Sequence, residues 1–528
     1  MSRSFPVFAF SLGREFKLSV AEIASVCGFH SIIAVSPQLA LVRFGSREDA
    51  LAAFAKLGGS IRLFEVQSEC VSGEFATKST EYFKKTMSPD GKHAFALATV
   101  GADLPLTELS LRVKKFLRDD FSVRACNVTD RTINAAAFKK SKLSKTLLET
   151  AYLEIDRKGY FAVTLACQDV DAFAGRDMNK GRDMEVGMLP PKLARMMVNL
   201  VSGRGSAESS DNAKHNFTPT RIYDPFCGLG TVLIEAFDLG FRDLLGTDIS
   251  EKMAESTAKA LEPLCDPVEA LYRTYPQDAK KIASNPEYVR GAAIVTEGFL
   301  GEIQSAKTVT AASVAEQKKL LYPIYEGFFQ GLRQLDYKGT VVMCVPFWEV
   351  GGKYVFFEEF FEVLKKYGFY SDSLLPKEFS VQATKFGSLL YKRPGQTVGR
   401  EIVRVVPGRV IQKDRNSEGR GLYEDRGYGK SERGERPERS EKPVWHEERP
   451  SNGRPSSGRK PYDGKPKGNP NAKPPGFVNP GFAGGRNSNE FGRNGNGFGG
   501  RSSFGGGRTG GRPDSGTSRT GRGAGRGR

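Results

Sequence analysis

Short apolar runs from Val7 to Ser11 and from Leu39 to Phe44 predict two strands. Between and after them, Ser19 to Cys27 and Arg47 to Leu57 space their apolar residues as helices do, and Leu57-Gly58-Gly59 supplies a helix stop. A second unit repeats the theme with a strand from Ala94 to Thr99, a helix from Thr107 to Leu117, and strands near Ala151 to Asp156 and Tyr160 to Cys167. Further on, the short apolar run Ile222 to Phe226 ends in a glycine turn. Val232, Leu233, Ala236 and Phe237 then recur at helical spacing before Leu244-Leu245-Gly246 resumes an extended pattern. Ile294-Val295-Thr296 and Gly339 to Trp348 read as further buried strands, with Trp348 placed either at a pocket rim or in the core. Gly387 to Tyr391 and Glu401 to Val405 read as a closing hairpin.

The chain has 528 residues, enough for two or three domains, and a formal net charge of +17. From Lys413 onward there are 25 Lys and Arg against 13 Asp and Glu, together with 28 of the 59 glycines and almost no aliphatic residues. Such a segment cannot bury enough apolar surface to order itself, which predicts a disordered tail. Its Arg-Gly and Phe-Gly repeats, Arg501 and Arg508 among them, put guanidinium groups and rings on a flexible chain suited to phosphates and stacked bases. The seven cysteines never approach C-x-x-C spacing and the four histidines are scattered, so neither a metal site nor a disulfide framework is expected. No apolar stretch approaches the roughly 20 residues needed to cross a bilayer, and a soluble, cytoplasmic protein is expected.

Strand, tight turn, helix and strand around Asp224-Pro225-Phe226-Cys227-Gly228-Leu229-Gly230-Thr231 read as a nucleotide-type cofactor site. Two glycines let the backbone approach a ligand, and Asp248, about 20 positions beyond the turn, is placed to accept hydrogen bonds from ribose hydroxyls. The third glycine of a pyrophosphate cradle is missing and an acid, Asp224, precedes the turn. An acid there repels phosphate and suits a cationic ligand. Lysines cluster at Lys139, Lys140, Lys142 and Lys145, a solvated face in most proteins and a nucleic-acid contact where neighbouring features support one.

The Asp-Pro-Phe-Cys-Gly-x-Gly-Thr string resembles motif I of S-adenosylmethionine-dependent methyltransferases of exocyclic amines. Together with Arg176-Asp177-Met178-Asn179-Lys180-Gly181-Arg182-Asp183, then Gly187-Met188-Leu189-Pro190-Pro191-Lys192-Leu193-Ala194, the early Leu-Gly-Gly and the late Tyr391-Lys392-Arg393-Pro394-Gly395-Gln396, it resembles the THUMP-containing tRNA guanine-N2 methyltransferases of archaea and eukaryotes. The likeness runs over roughly residues 5 to 405. It implies an α/β protein with a ferredoxin-like domain over 1–75, a THUMP-like RNA-binding domain over 76–175, a Rossmann-like class I methyltransferase domain over 176–412 and the tail over 413–528. Carried over by residue, it implies S-adenosylmethionine as cofactor. Asp224, Phe226, Gly228, Gly230 and Thr231 would lie at its methionine end, Asp248 at the ribose, and Asp278 and Ala279 at the adenine. It implies tRNA or another structured RNA as partner, touched by Lys139, Lys140, Lys142, Arg176, Arg182, Lys192 and the tail arginines. Some relatives also need a small activating subunit.

The family's fourth strand ends in Asp-Pro-Pro-Tyr, whereas here Thr296 is followed by Glu297-Gly298-Phe299-Leu300. Methylating an exocyclic amine needs an acceptor for its hydrogens and a platform for a base taken out of its stack, roles that Glu297 and Phe299 can fill. The lost prolines keep open an RNA-binding homologue without turnover, and the shared motif I and sheet order keep open a DNA amino-methyltransferase, against which the THUMP-like half argues.

Overall fold

Along the first strand, Val7–Leu12 (β1), the residues Phe8, Phe10 and Leu12 enter one apolar cluster and Val7 and Ala9 another, so the period-two pattern places a sheet between two layers. The computed structural model describes residues 6–128, 131–179, 188–202, 219–265, 271–302, 309–375 and 383–408. The predicted tail lies outside the described residues, as does Arg182. No described helix is long and apolar enough to cross a membrane.

The first sheet contains β1 with Ile32–Val35 (β2), Leu39–Arg43 (β3), Ser60–Glu69 (β4), Lys92–Val100 (β5), Ser122–Ala125 (β6), Glu149–Ile155 (β7) and Lys158–Cys167 (β8). Its order is β2-β3-β1-β4-β8-β7-β5-β6. The antiparallel pairing of β4 with β8 joins the two sequence units into one continuous sheet, with Arg62 opposite Cys167 and Glu65 opposite Val163. At that seam the buried Arg62 guanidinium pairs with the fully buried Glu149 of β7.

The second sheet is made by Arg221–Asp224 (β9), Asp243–Asp248 (β10), Leu271–Pro276 (β11), Ala292–Glu297 (β12), Val341–Val350 (β13), Lys353–Phe356 (β14), Phe369–Asp372 (β15), Leu389–Tyr391 (β16) and Val398–Pro407 (β17). The order β11-β10-β9-β12-β13-β17-β15 is parallel as far as β13 and antiparallel beyond it, with β14 on β13 and β16 on β17. In β13, Val342 and Cys344 face one apolar cluster while Val341, Met343 and Val345 face another. That two-sided burial explains a nearly unbroken apolar sequence in a strand covered by helices on both faces. The architecture is α/β with a Rossmann-like second sheet, and within the run expected as a closing hairpin Leu389–Tyr391 pairs antiparallel with Arg400–Ile402 of β17.

The two sheets share a core, in which Phe8, Phe10 and Val20 lie in one cluster with Leu193, Met197, Ile222 and Ile402. The motif glycines explain the close approach. A Cβ on Gly58 would stand 2.5 Å from the Lys192 carbonyl oxygen, and one on Gly59 2.9 Å from Met196 Sδ, both on the helix Pro191–Asn199. Their N–H groups donate at 2.8 Å to the two carboxyl oxygens of buried Glu22, and Asn199 Nδ2 donates to Glu22 at 2.7 Å. Burial pushes the Glu22 carboxyl up to about 7, opposed by those three donors. Leu-Gly-Gly and Pro-Pro-Lys-Leu-Ala therefore form the two sides of one junction.

Candidate active site

Reversal of strand order opens a crevice at the carboxyl ends of a parallel sheet, and here the chain leaves β9 toward β10 and β11 and returns on the other side through β12. Asp224 ends β9, Asp248 ends β10 and Glu297 ends β12. Asp278 follows β11, whose Pro276 is in register with Asp248. Parallel pairing thus removes the distance in sequence between Asp248 and Asp278, and Gln277 N–H donates to the Asp248 carbonyl at 2.7 Å.

Two carboxylates hold the glycine turn. Asp224 Oδ1 accepts from Phe226 N–H at 3.1 Å and from the Thr296 hydroxyl at 2.6 Å; Asp248 Oδ2 accepts from Gly228 N–H at 3.0 Å and its Oδ1 from Ser250 N–H at 2.9 Å. Gly228 and Gly230 have φ of 52° and 78°, the left-handed region that favours glycine. A Cβ on Gly228 would meet no atom closer than 4.0 Å, which leaves that face of the turn open to a ligand, whereas one on Gly230 would press on Thr257 at 3.1 Å. Burial raises the Asp224 carboxyl to about 7; the Thr296 and Phe226 donors oppose this and the charges of Asp248 and Glu297 reinforce it. Burial also raises the Asp248 carboxyl, against its two N–H donors.

Thr231 is the buried first residue of the helix Thr231–Asp238. Phe226 packs edge-on to Phe328 at 6.1 Å. Asp278 caps residues 279–284, accepting from Lys280 N–H at 3.0 Å and pairing with Lys280 Nζ at 3.4 Å, and Ala279 is buried behind it. The donor set is rich in carboxylates, so it fits a cation and ribose hydroxyls and does not fit a pyrophosphate. Among the described residues no group of three His, Cys, Asp or Glu side chains comes together as a metal site.

On the other side of the crevice the Glu297 carboxylate pairs with Arg400 of β17, whose guanidinium is almost wholly buried. Phe299 is 39% exposed at the edge, while Trp348 is fully buried in the core. The Phe299 carbonyl accepts from the Tyr325 hydroxyl at 2.8 Å, and Glu302 N–H donates to Gln317 Oε1 at 2.8 Å. Arg400, Tyr325 and Gln317 had no local signal, being 103, 26 and 15 residues from their partners.

The residues expected to touch RNA are dispersed. Lys139, exposed, pairs with Asp171 at 3.3 Å and Asp169 at 3.7 Å; Lys140 ends the short helix Ala135–Lys140, and Lys142 adopts φ of 56°. All three lie with the first sheet. Arg176 turns inward instead, its Nε and Nη2 donating to the fully buried Glu235 at 2.8 and 3.2 Å. Lys192, half-buried, sits 5.5 Å from the Phe173 ring, and burial lowers its ammonium pKa. Arg182, Arg501 and Arg508 lie outside the described residues.

No family model matches the chain. Over 160 residues it is 32% identical to the tRNA (guanine(10)-N2)-dimethyltransferase of Methanothermobacter thermautotrophicus, covering 28% of this chain and 44% of that protein. Over 224 residues it is 27% identical to the protein of the same name from Methanocaldococcus jannaschii, covering 41% of this chain and 58% of that one. The aligned segments thus span about half the length of these curated relatives. Among solved structures, TrmN from Thermus thermophilus aligns over 76% of this chain and 99% of its own, with a TM-score of 0.43 and 14% sequence identity.

Proposed function

We propose that the chain is an S-adenosylmethionine-dependent methyltransferase acting on the exocyclic N2 amine of a guanine in tRNA. The observation that carries this reading is the placement of Asp224 and Asp248 on one side of a switch-point crevice and Glu297 on the other. The sequence similarity to two tRNA (guanine(10)-N2)-dimethyltransferases supports the choice of base and of RNA. The cofactor would supply an electrophilic methyl group on a positively charged sulfur. Asp224 with the open turn at Phe226, Gly228, Gly230 and Thr231 would hold its methionine end, Asp248 its ribose, and Asp278 and Ala279 its adenine.

Glu297, paired with Arg400, would take a hydrogen bond from the target amine and direct the nitrogen lone pair at the methyl group. Phe299, exposed beside it, would stack on the base drawn from the RNA. Lys139, Lys140, Lys142 and the tail would supply phosphate contacts, and the encounter with tRNA would take place in the cytoplasm.

Incubating the purified chain with labelled S-adenosylmethionine and bulk tRNA, followed by nucleoside analysis, is expected to yield labelled N2-methylguanosine; transfer by the chain alone would also dispense with an activating subunit. Glu297→Ala should retain cofactor binding and lose about 100-fold or more in turnover, the scale of a general acid–base group. Retained turnover would remove Glu297 from the mechanism. Preference for duplex DNA over tRNA at physiological salt would overturn the choice of substrate. If the tail neutralises about six phosphates, deleting residues 413–528 should flatten the log–log salt dependence of RNA affinity by roughly 4 to 5 units.

A further inference from the structure

A loop that carries the proposed acceptor Glu297 and contains two glycines in five residues, Glu297-Gly298-Phe299-Leu300-Gly301, is expected to be loose, because glycine leaves the backbone many conformations. The neighbouring helix Ala311–Gln334 opposes that freedom. Gln317, Leu321 and Tyr325 recur every four residues and form one stripe beneath the loop, all three buried. The Tyr325 hydroxyl donates to the Phe299 carbonyl and Gln317 Oε1 accepts from Glu302 N–H, each at 2.8 Å.

The fit is close on both sides. A Cβ on Gly298 would lie 2.6 Å from Tyr325 Oη and 3.1 Å from the Cys344 carbonyl oxygen, so the backbone passes directly over the hydroxyl. Gly301, at φ of 92°, lies over Gln317 and has Leu321 Cδ1 at 3.8 Å from the position of a Cβ. The Tyr325 ring is itself fixed by Phe357 and Phe360, at centroid distances of 5.8 and 5.4 Å. Arg400 fixes the loop's first side chain from β17.

We propose that Tyr325 and Gln317 are positioning residues for the acceptor loop: their two hydrogen bonds to its backbone aim Glu297 and Phe299 into the crevice. This rests on the methyltransferase reading. Neither side chain touches the reacting atoms. Their contribution is rigidity, since a misplacement near 1 Å at a reacting centre costs on the order of 100-fold in rate.

Tyr325→Phe removes the hydroxyl and keeps the ring. In the full-length protein it should leave the Kd for S-adenosylmethionine and the KM for tRNA within about twofold, while kcat falls roughly 10- to 100-fold. Amide hydrogen exchange should quicken in a peptide spanning 298–302 and remain unchanged in peptides from β9 and β10. Gln317→Leu should act in the same direction. An unchanged kcat, or a loss of cofactor affinity as large as the loss of kcat, would overturn the proposal. If the wild-type chain transfers no methyl to RNA, the methyltransferase reading fails, and the exchange data still decide the clamp: quicker exchange in the variant sustains it and unchanged exchange overturns it.

Discussion

Replacing Asp224 with asparagine is expected to weaken S-adenosylmethionine binding by roughly 100- to 1,000-fold, because truncating one charge of a buried pair costs about 2–5 kcal/mol. Asparagine keeps the size of the side chain and an oxygen for Thr296 and Phe226 N–H, so the fold of the turn should survive. The wild-type protein carries a second signature of the same charge. Burial raises the Asp224 carboxyl to about 7, so near pH 5 the group is protonated in the free protein, and a cationic ligand must drive off that proton to gain its charge partner. Affinity should therefore rise about tenfold per pH unit from pH 5 toward 7 and level off above it. In the asparagine variant this dependence should disappear. Isothermal titration at four pH values measures both effects, and a wild-type affinity flat across the range would show that Asp224 does not face the cation.

The pieces of this site that were legible in the sequence are those whose geometry is local. Asp224, Gly228, Gly230 and Asp248 belong to one strand–turn–helix–strand unit, so their spacing alone brings them together, and the structure ties them with hydrogen bonds across the turn. Asp278 was expected at the adenine on resemblance and is brought beside Asp248 by the pairing of β10 and β11. Tyr325 and Gln317 were hidden for a different reason. They occupy a helix interrupted in sequence by Pro323, and a buried Gln or Tyr is distinguishable from core only once its partner is known. Arg400 lies on a strand whose place beside β13 is set by antiparallel pairing from the far end of the domain.

The first sheet carries the same lesson. Five of its strands were visible as short apolar runs, whereas Ile32–Val35, Ser60–Glu69 and Ser122–Ala125 were not, and the β4–β8 pairing that merges two sequence units into one sheet is a contact over roughly a hundred residues that no local pattern encodes. Arg176 is the converse case. A basic residue in a motif shared with RNA-modifying enzymes reads naturally as a phosphate contact, yet its guanidinium is directed at Glu235, an acid embedded in the apolar run Val232-Leu233-Ile234 of the helix Thr231–Asp238.

Glu235→Ala should accordingly be among the most destabilising single changes in the described structure, by about 3–5 kcal/mol, the scale for breaking a buried ion pair and leaving its partners uncompensated. Glu235 is fully buried and accepts from both Arg176 and Arg195, whose side chains are 14% and 6% exposed. Arg195 also donates to the Ala55 and Lys56 carbonyl oxygens at the end of the helix Arg47–Lys56 and pairs with Asp238. It thereby links an element of the first sheet's layer to the helix that follows the glycine turn. Removing the acid leaves two guanidinium groups near an apolar core with one exposed carboxylate, Asp238, to share, while the carbonyl contacts of Arg195 persist. Denaturant unfolding should show the loss as a lower midpoint. Lys259→Ala, which removes an exposed i,i+4 pair with Glu255, should change stability by no more than about 0.5 kcal/mol. If the two variants unfold at the same midpoint, the cluster does not stabilise the junction between the sheets.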